Sequence, residues 1–560
     1  MPPSDRPAGN TVFLGGRVRT LDARGTCTEA IAVAGNRIAT VGSNDDIRAL
    51  VGPSTKVIEL DGATVIPGFN DTHAHMDREG LKSIRPTLKG AKSIADVLDR
   101  IRTAAANTPS GEWIVTMPVG EPPYYFGGPD TLVEKRMPDR NELDLAAPDH
   151  PVCISAVFAN WGQPPGYTAL NSRALRLNGI DRDTKPSCEG VEIMRDQFGE
   201  PTGVIVEDNP RPTVDNDLLP AVPRFTFEQR REALVRSMSL YNAAGTTSVY
   251  EGHGLSERTI DAYRELWREG SLTTRLGFVL SPAWESFREA RAALRDWAAE
   301  ARGETIDDPW FRICGLHVAF GGNSVSAALS RKSLPDTGWA GFVEQANDES
   351  DFLEYCMLCA ANDIRMHTIA LDNLHRIVPI LEKVSERFDL RGKRWVVEHI
   401  ARSRQEDLEK LRQMDVLVTT IPVYFVWKGG ARYFADADRG ESVVPIRSML
   451  DNGMFVAAGT DNIPYDPAFT LWNMVTRQER TTGQALGPGQ AVTSEEALRL
   501  MTVAGAMLTG DEKEKGPLAP GNLADLAVLA QDPVTLAPEK LTELECLHTM
   551  VDGRFVHQTT

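Results

Sequence analysis

The stretch Gly68–Asp77, GFNDTHAHMD, follows the apolar run ATVIPGF and sets His73 and His75 two residues apart. Side chains two apart on a strand project from the same face. The pair therefore reads either as metal ligands at the mouth of a barrel or as polar residues on a strand edge. H-x-H is common by chance, so the decision rests on whether the rest of the chain supplies partners.

Downstream, apolar strand patterns alternate with amphipathic helices. The strand candidates after the H-x-H segment are TTSVYEG (246–252), TTRLGFVLS (273–281), FRICGLHVAFG (311–321), DIRMHTIA (363–370), RWVVEHIA (394–401), DVLVTTIPVYF (415–425) and MFVAAGTDN (454–462). Between them lie helical segments such as SERTIDAYRELWREG, WESFREARAALRDWAAEARG, LDNLHRIVPILEKVSERF and RQEDLEKLRQMD, several ending in Gly or Asn-Asp as a helix C-terminus does. With the H-x-H strand the count is eight, the pattern of an α/β protein with a (β/α)8 TIM barrel.

Both chain ends have a different texture. TVFLGGRVRTLD, EAIAVAGNRIATVG and STKVIELDGATVIPG near the start, and GNLADLAVLAQDP and ECLHTMVDGRFVHQ near the finish, are β-branched and punctuated by Gly, Asp and Asn. Neither end has enough apolar residues for a core alone, so residues 1–66 and 512–560 are expected to pair into one small β-sandwich domain. The barrel then occupies 67–511. It is interrupted after its first strand by a long insertion at 77–240, rich in turns and aromatics, which reads as a substrate cap; a separately appended module is the alternative.

The 560 residues are 42% hydrophobic and 25% charged, with a formal charge of −18, which describes a soluble globular chain and argues against nucleic acid or an anionic membrane as partner. No window approaches a membrane span and the N-terminus lacks signal-peptide character. Seven cysteines at irregular spacing suit reduced thiols and a cytoplasmic enzyme. The one C-x-x-C, Cys356 to Cys359, lies in a helical pattern and reads as two core thiols. A homodimer is the base-rate expectation.

The histidines decide the opening question. His73, His75, His317, His367 and His399 fall at or near the C-terminal ends of predicted barrel strands, and Asp461 ends the eighth. Each alone reads as a satisfied core residue; together they converge on the face where barrel active sites form. Neutral imidazole is a good ligand for zinc and similar divalent cations. Such a cation ionises water near neutral pH, Asp461 can take its proton and pass it to a leaving amine, and His399 can polarise the carbonyl under attack. His253, just after the second strand, could face the mouth. His150, His375, His548 and His557 have weaker cases. No dinucleotide fingerprint, P-loop or G-x-S-x-G is evident.

VIPGFNDTHAH, MHTIALDNLHRIVPIL, RWVVEHIA, AAGTDNIPYDP, TSEEALRLMTVAGAMLTG and GPLAPGNLADLAVLAQDP resemble the amidohydrolase superfamily, and more narrowly its amidohydrolase-3 branch, which includes N-substituted formamide deformylases. The resemblance runs nearly end to end. It implies metal-dependent hydrolysis of a C–N bond in a small-molecule substrate. It also implies that His73 and His75 are the first-strand metal pair, His367 the fifth-strand ligand, His399 the sixth-strand histidine and Asp461 the eighth-strand aspartate. One departure matters. Many relatives carry a strand-four lysine that becomes carboxylated and bridges two metals, yet here HVAFGGNS puts His317 in that place, and no lysine occurs from Arg302 to Arg331. The expectation is therefore one divalent cation per chain, zinc, held by His73, His75, His367 and Asp461. His317 is then an extra ligand or a substrate contact. A binuclear site bridged by Glu251 or His317 is the runner-up.

Tyr124, Tyr125, Phe126, Trp161, Tyr424, Phe425 and Trp427 suggest a substrate with an apolar or aromatic substituent, with Tyr125, Trp161, Tyr424 and Trp427 as binding candidates; packing is the competing explanation. The leading function is amide or formamide hydrolysis by metal-activated water. The alternatives are deamination or cyclic-amide hydrolysis at the same site, and a ligand-binding homologue without catalysis, which the intact H-x-H, later histidines and Asp461 disfavour.

Overall fold

Eight consecutive parallel strands form the barrel in the computed structural model, which describes residues 10–157, 162–208, 213–282, 284, 286–306, 308–333 and 345–559. They are Phe69–Asp71, Thr246–Leu255, Arg275–Leu280, Phe311–His317, Met366–Leu371, Val396–Ile400, Leu417–Thr420 and Val456–Ala458, each paired with the next in chain order. The strands are buried along nearly their whole length, as expected when helices cover the outside of a parallel sheet. The helices predicted between them form at Glu257–Arg268, Phe287–Ala301, Leu374–Ser385 and Gln405–Gln413.

The largest difference from the sequence reading concerns strand seven. Expected to run to Phe425, it stops at Thr420, and Val423–Lys428 winds into a π-helical turn. Pro422, with φ −55° and ψ −43°, is already in the helical region and starts that turn. The five residues Ile421 to Phe425, which looked like strand continuation because they are largely apolar, thus leave the sheet.

The chain divides into two compact units, one made of Met1–Met76, Val235–Gly321 and Asn347–Thr560, the other of Asp77–Leu234 and Gly322–Ala346. In the first unit the two chain ends build the sandwich beside the barrel. Leu526–Leu529 pairs antiparallel with Thr64–Pro67 inside a six-stranded sheet that also holds Arg17–Arg19, Cys27–Thr28, Cys546–Val551 and Arg554–Gln558. A four-stranded sheet of Thr11–Leu14, Ala30–Ala34, Arg37–Gly42 and Lys56–Glu59 faces it. Phe13, Val18, Ile31, Val65, Leu526, Val528 and Met550 fill the shared core, so neither end would bury its apolar face alone.

The second unit has its own five-stranded sheet and its own core, in which Ile94, Val97 and Ile101 of one helix pack with Leu143, Val152 and Ala169. That helix, Ile94–Ala106, starts at a capping box between Ser93 and Asp96. All seven cysteines are free, and Cys356 and Cys359 are buried in the helix Glu349–Ala361.

A buried ion cluster fastens the sandwich to the barrel. Arg275 at the start of strand three places Nε 2.6 Å from Asp525 and Nη2 3.0 Å from Asp552. Removing one member of such a pair strands the opposite charges. We expect Arg275→Met to cost roughly 3–5 kcal/mol in urea denaturation; an unchanged midpoint would rule out this fastening.

Candidate metal centre

His73 and His75 lie just past the first strand rather than on it. The Asp71 carboxylate ends the ladder by accepting from the backbone N–H of Thr460 at 2.9 Å and of His73 at 3.2 Å, and from the Thr460 hydroxyl. Burial pushes the Asp71 carboxyl up to about 7 against the pull of these donors. Two further backbone bonds clasp the segment. Ala74 N–H donates to the Tyr250 carbonyl of strand two at 2.9 Å, and Asp461 N–H donates to the His73 carbonyl at 2.8 Å. Gly459 makes the close approach possible, since a Cβ there would sit 2.3 Å from the His73 nitrogen.

The two imidazoles have parallel surroundings. His73 Nδ1 lies 3.3 Å from Glu398 Oε2, while its Nε2 lies 2.8 Å from His399 Nε2 and 3.9 Å from Asp461 Oδ1. His75 Nδ1 lies 3.7 Å from Glu251 Oε2, while its Nε2 lies 3.0 Å from Asp461 Oδ1. Each ring thus has a carboxylate behind one nitrogen and Asp461 before the other. This is the arrangement by which proteins fix tautomer and orientation of metal-binding histidines. Tyr263 holds Glu251 in place, its hydroxyl donating to Oε1 at 2.9 Å.

Further imidazoles surround the pair. His253 has its ring 5.9 Å from that of His75, 6.4 Å from His73 and 5.2 Å from His317. His317 ends strand four in register with His367. His367 is reached through Glu398, whose Oε1 lies 3.4 Å from its Nδ1, and through the Tyr250 hydroxyl, 2.9 Å from the same nitrogen. The structure therefore gathers His73, His75, His399 and Asp461 directly and attaches His367 to them by way of Glu398. His399 and Asp461 both adopt left-handed backbone, each with φ 52°. Such strain in non-glycine residues persists where surrounding structure over-determines it, often at functional positions.

Burial and mutual crowding hold these rings neutral. His317 and His399 are pushed down to about 3, with burial the larger cause and neighbouring histidines the next. Burial takes His367 down to about 4 against the pull of Glu398, and burial followed by the neighbouring histidines holds His253 well below the usual imidazole range. Burial raises Glu398 to about 7. Among the described residues, ligand atoms of His73, His75 and His253 lie within 4.8 Å of one another, as do those of His73, Glu398 and His399. Gly252 borders the same space; a Cβ there would meet Glu398 Oε1 at 2.6 Å and His73 Nδ1 at 2.9 Å. Neutral lone pairs, carboxylates and a glycine-lined cradle fit a divalent cation.

Sequence reasoning passed over Glu398, Tyr263 and Lys428. Glu398 stands next to His399 in VVEHIA, where strand alternation would send the two to opposite faces; the positive φ of His399 breaks that alternation. Tyr263 sits on a helix and carries no motif signal. Lys428 is buried on the π-helical turn, its ammonium 4.6 Å from the centre of the Tyr424 ring. Of the aromatic candidates, Phe425 has its ring 6.3 Å from His399 and 5.0 Å from Tyr424, and Trp427 packs 5.0 Å from Phe469. Tyr125 is packed with Leu81, Met117 and Phe225 in a core of the second unit, and Trp161 lies outside the described residues.

Lys428 generates a pH prediction. Burial lowers its pKa to about 7, opposed by the charge of Asp461. The unfolded chain, with an ordinary lysine, binds more protons than the folded one between about pH 7 and 10, so the penalty for burying the charge is full below 7 and fades as pH rises. Metal-free wild type should therefore gain stability relative to Lys428→Met between pH 7 and 10, read from urea midpoints. A constant difference would contradict it.

A parallel barrel with an H-x-H pair, further imidazoles and an aspartate converging past its strand ends defines the class of metal-dependent barrel hydrolases. The chain belongs to the amidohydrolase family, whose model matches residues 56–557, and it is a metal-dependent hydrolase acting on carbon–nitrogen bonds. It is 26% identical over 583 residues to the N-substituted formamide deformylase of Arthrobacter pascens, with 98% of both chains covered. It is 22% identical to the protein LONG AFTER FAR-RED 3 of Arabidopsis thaliana, over 94% of this chain and 88% of that one. A metal-dependent hydrolase from Pyrococcus furiosus shares the fold at TM-score 0.67 and 20% identity, over 94% of this chain and 100% of that one. The zinc complex of atrazine chlorohydrolase TrzN from Arthrobacter aurescens TC1 aligns at TM-score 0.53 and 15% identity, over 98% and 95%. Among the described residues no helix is long and apolar enough to cross a membrane.

Proposed function

We propose that the protein hydrolyses an amide or formamide bearing an apolar or aromatic substituent, using one zinc ion per chain. The observation that carries the metal assignment is the paired geometry of His73 and His75, each backed by a carboxylate and each presenting Nε2 toward Asp461. These two imidazoles and Asp461 would hold the cation, with a third imidazole beside them, a place the sequence pattern gives to His367. When bound, zinc supplies Lewis acidity that makes water a nucleophile near neutral pH.

The remaining roles belong to the chain. Asp461, 3.0 Å from His75 Nε2, accepts the proton that water gives up at attack and returns it to the amine nitrogen as the C–N bond breaks. His399, 2.8 Å from His73, donates toward the carbonyl oxygen as charge develops there, for which it must carry a proton on the nitrogen facing the substrate. Glu398 and Glu251 fix the tautomers of His73 and His75. His317, its ring 5.2 Å from that of His253, serves as a substrate contact or an extra ligand. Phe425 and Tyr424 offer an apolar wall next to His399, which supports an arylalkyl substituent. The formamide deformylase relative supports the formyl end of the range.

Asp461→Asn should lower kcat by roughly 10²–10⁴-fold while zinc remains bound by elemental analysis. Wild-type-like turnover in that variant would remove Asp461 from the proton path. A panel of N-formyl and N-acyl arylalkyl amides, small hydrophilic amides and lactams, read by amine release, tests the substrate class. The arylalkyl members should turn over best, and preference for small hydrophilic amides would sink the apolar pocket. Chelation should abolish turnover and zinc should restore it.

A further inference from the structure

We propose that a second pocket, beside the barrel where the last sandwich strands pack, binds an arylalkyl ammonium ion, the class of amine that the proposed hydrolysis releases. The choice of amine rests on that reading of the reaction; the pocket and its charge stand apart from it.

The cavity has a volume of about 350 Å³, the lower end of the roughly 300–1,000 Å³ typical of small-molecule sites. It opens where the end of the helix Phe227–Ala243, strand one at Phe69, the start of the helix Pro467–Thr476 and the final sandwich strands come together. Its walls are mostly apolar. Phe69, Leu240, Leu529 and Leu544 line it, and Leu240 is left 37% exposed there. Gly245, with φ 88°, turns the chain into strand two without adding a side chain to this floor; a Cβ there would lie 3.2 Å from the Phe69 ring and 3.4 Å from Cys546 Sγ.

Charge decides the kind of ligand. Asp466 lines the cavity and caps the helix Pro467–Thr476, its Oδ1 accepting from Ala468 N–H at 2.9 Å. Among the described residues its Oδ2 has no hydrogen-bond or ion-pair partner, and no lysine or arginine lines the cavity. Glu545, exposed at the rim, adds a second carboxylate. Burial raises the Asp466 carboxyl against the pull of the Ala468 N–H. A desolvated carboxylate with lone pairs unmet is costly, and an ammonium group meets them with charge-assisted hydrogen bonds. An anion would face two carboxylates, and a neutral ligand would leave the charge uncompensated. The apolar walls then take an aryl or alkyl body. Covalent chemistry at the cavity is disfavoured, since burial pushes the Cys546 thiol up to about 11.

The test titrates phenethylamine into the full-length protein by calorimetry, with zinc and after chelation. It is run at about pH 8, above the ordinary imidazole range, so that His557 in the cavity is neutral. Binding should be the same with and without zinc, and phenethyl alcohol and phenylacetate should bind about tenfold or more weakly. Asp466→Asn keeps a capping side chain and removes the charge, and should weaken the amine by a similar factor. Ala243→Trp, from an exposed helix end that lines the cavity, should block it and decides the matter if Asp466→Asn fails to fold. Asp461→Asn should bind the amine as wild type does. Unchanged affinity in Asp466→Asn, equal binding of the alcohol, or loss of binding in Asp461→Asn overturns the proposal. Absent amine binding in a protein that hydrolyses arylalkyl amides removes the pocket and spares the function. Binding that depends on Asp466 in a protein that hydrolyses no such amide does the reverse.

Discussion

The site depends on how the first and eighth barrel strands meet. Asp71 takes hydrogen bonds from both Thr460 and the backbone of His73, and His73 in turn accepts from the backbone of Asp461. A buried carboxylate is costly unless its lone pairs are met. Here three donors meet it, one from His73 and two from Thr460, the residue before Asp461. The bond that satisfies Asp71 is therefore the bond that sets the distance between the H-x-H imidazoles and the acid. Gly459 is part of the same constraint, because any side chain there would separate the strands.

From that clasp the rest of the centre follows outward. His73 and His75 are fixed at their backbone, and Glu398 and Glu251 fix their rings from behind. Tyr263 anchors Glu251, and the Tyr250 hydroxyl and Glu398 together position His367. Burial first, and the neighbouring imidazoles second, keep the rings of His253, His317 and His399 neutral, which leaves their lone pairs available to a cation. Such preorganisation places donors before any substrate arrives and avoids reorganisation during reaction.

Much of the fold was legible because its signals are local and repeated. Strand–helix alternation gave the barrel, and the shared β texture of both ends gave the sandwich, since neither end could bury its own apolar face. The strand ends were less legible. Apolar content extended strand seven through Phe425, while Pro422 in fact starts a π-helical turn; hydrophobicity records burial and is blind to the backbone angle that ends a strand. Glu398 was hidden by the alternation rule itself. The rule holds for a regular strand, and the left-handed backbone of His399 suspends it where Glu398 and His399 both serve the site.

By itself the sequence determined the architecture and the residue types: eight strands, an H-x-H after the first, imidazoles and an aspartate at later strand ends, and no lysine on the fourth. These are properties of spacing and composition, and they survive without coordinates. Only the tertiary structure decided which nitrogen of each ring faces which carboxylate, that Glu398 stands between His73 and His367, and that His253 lies as close to the pair as it does. Those facts depend on ring orientation and on register shifts between strands distant in the chain. Neither has a counterpart in a one-dimensional pattern.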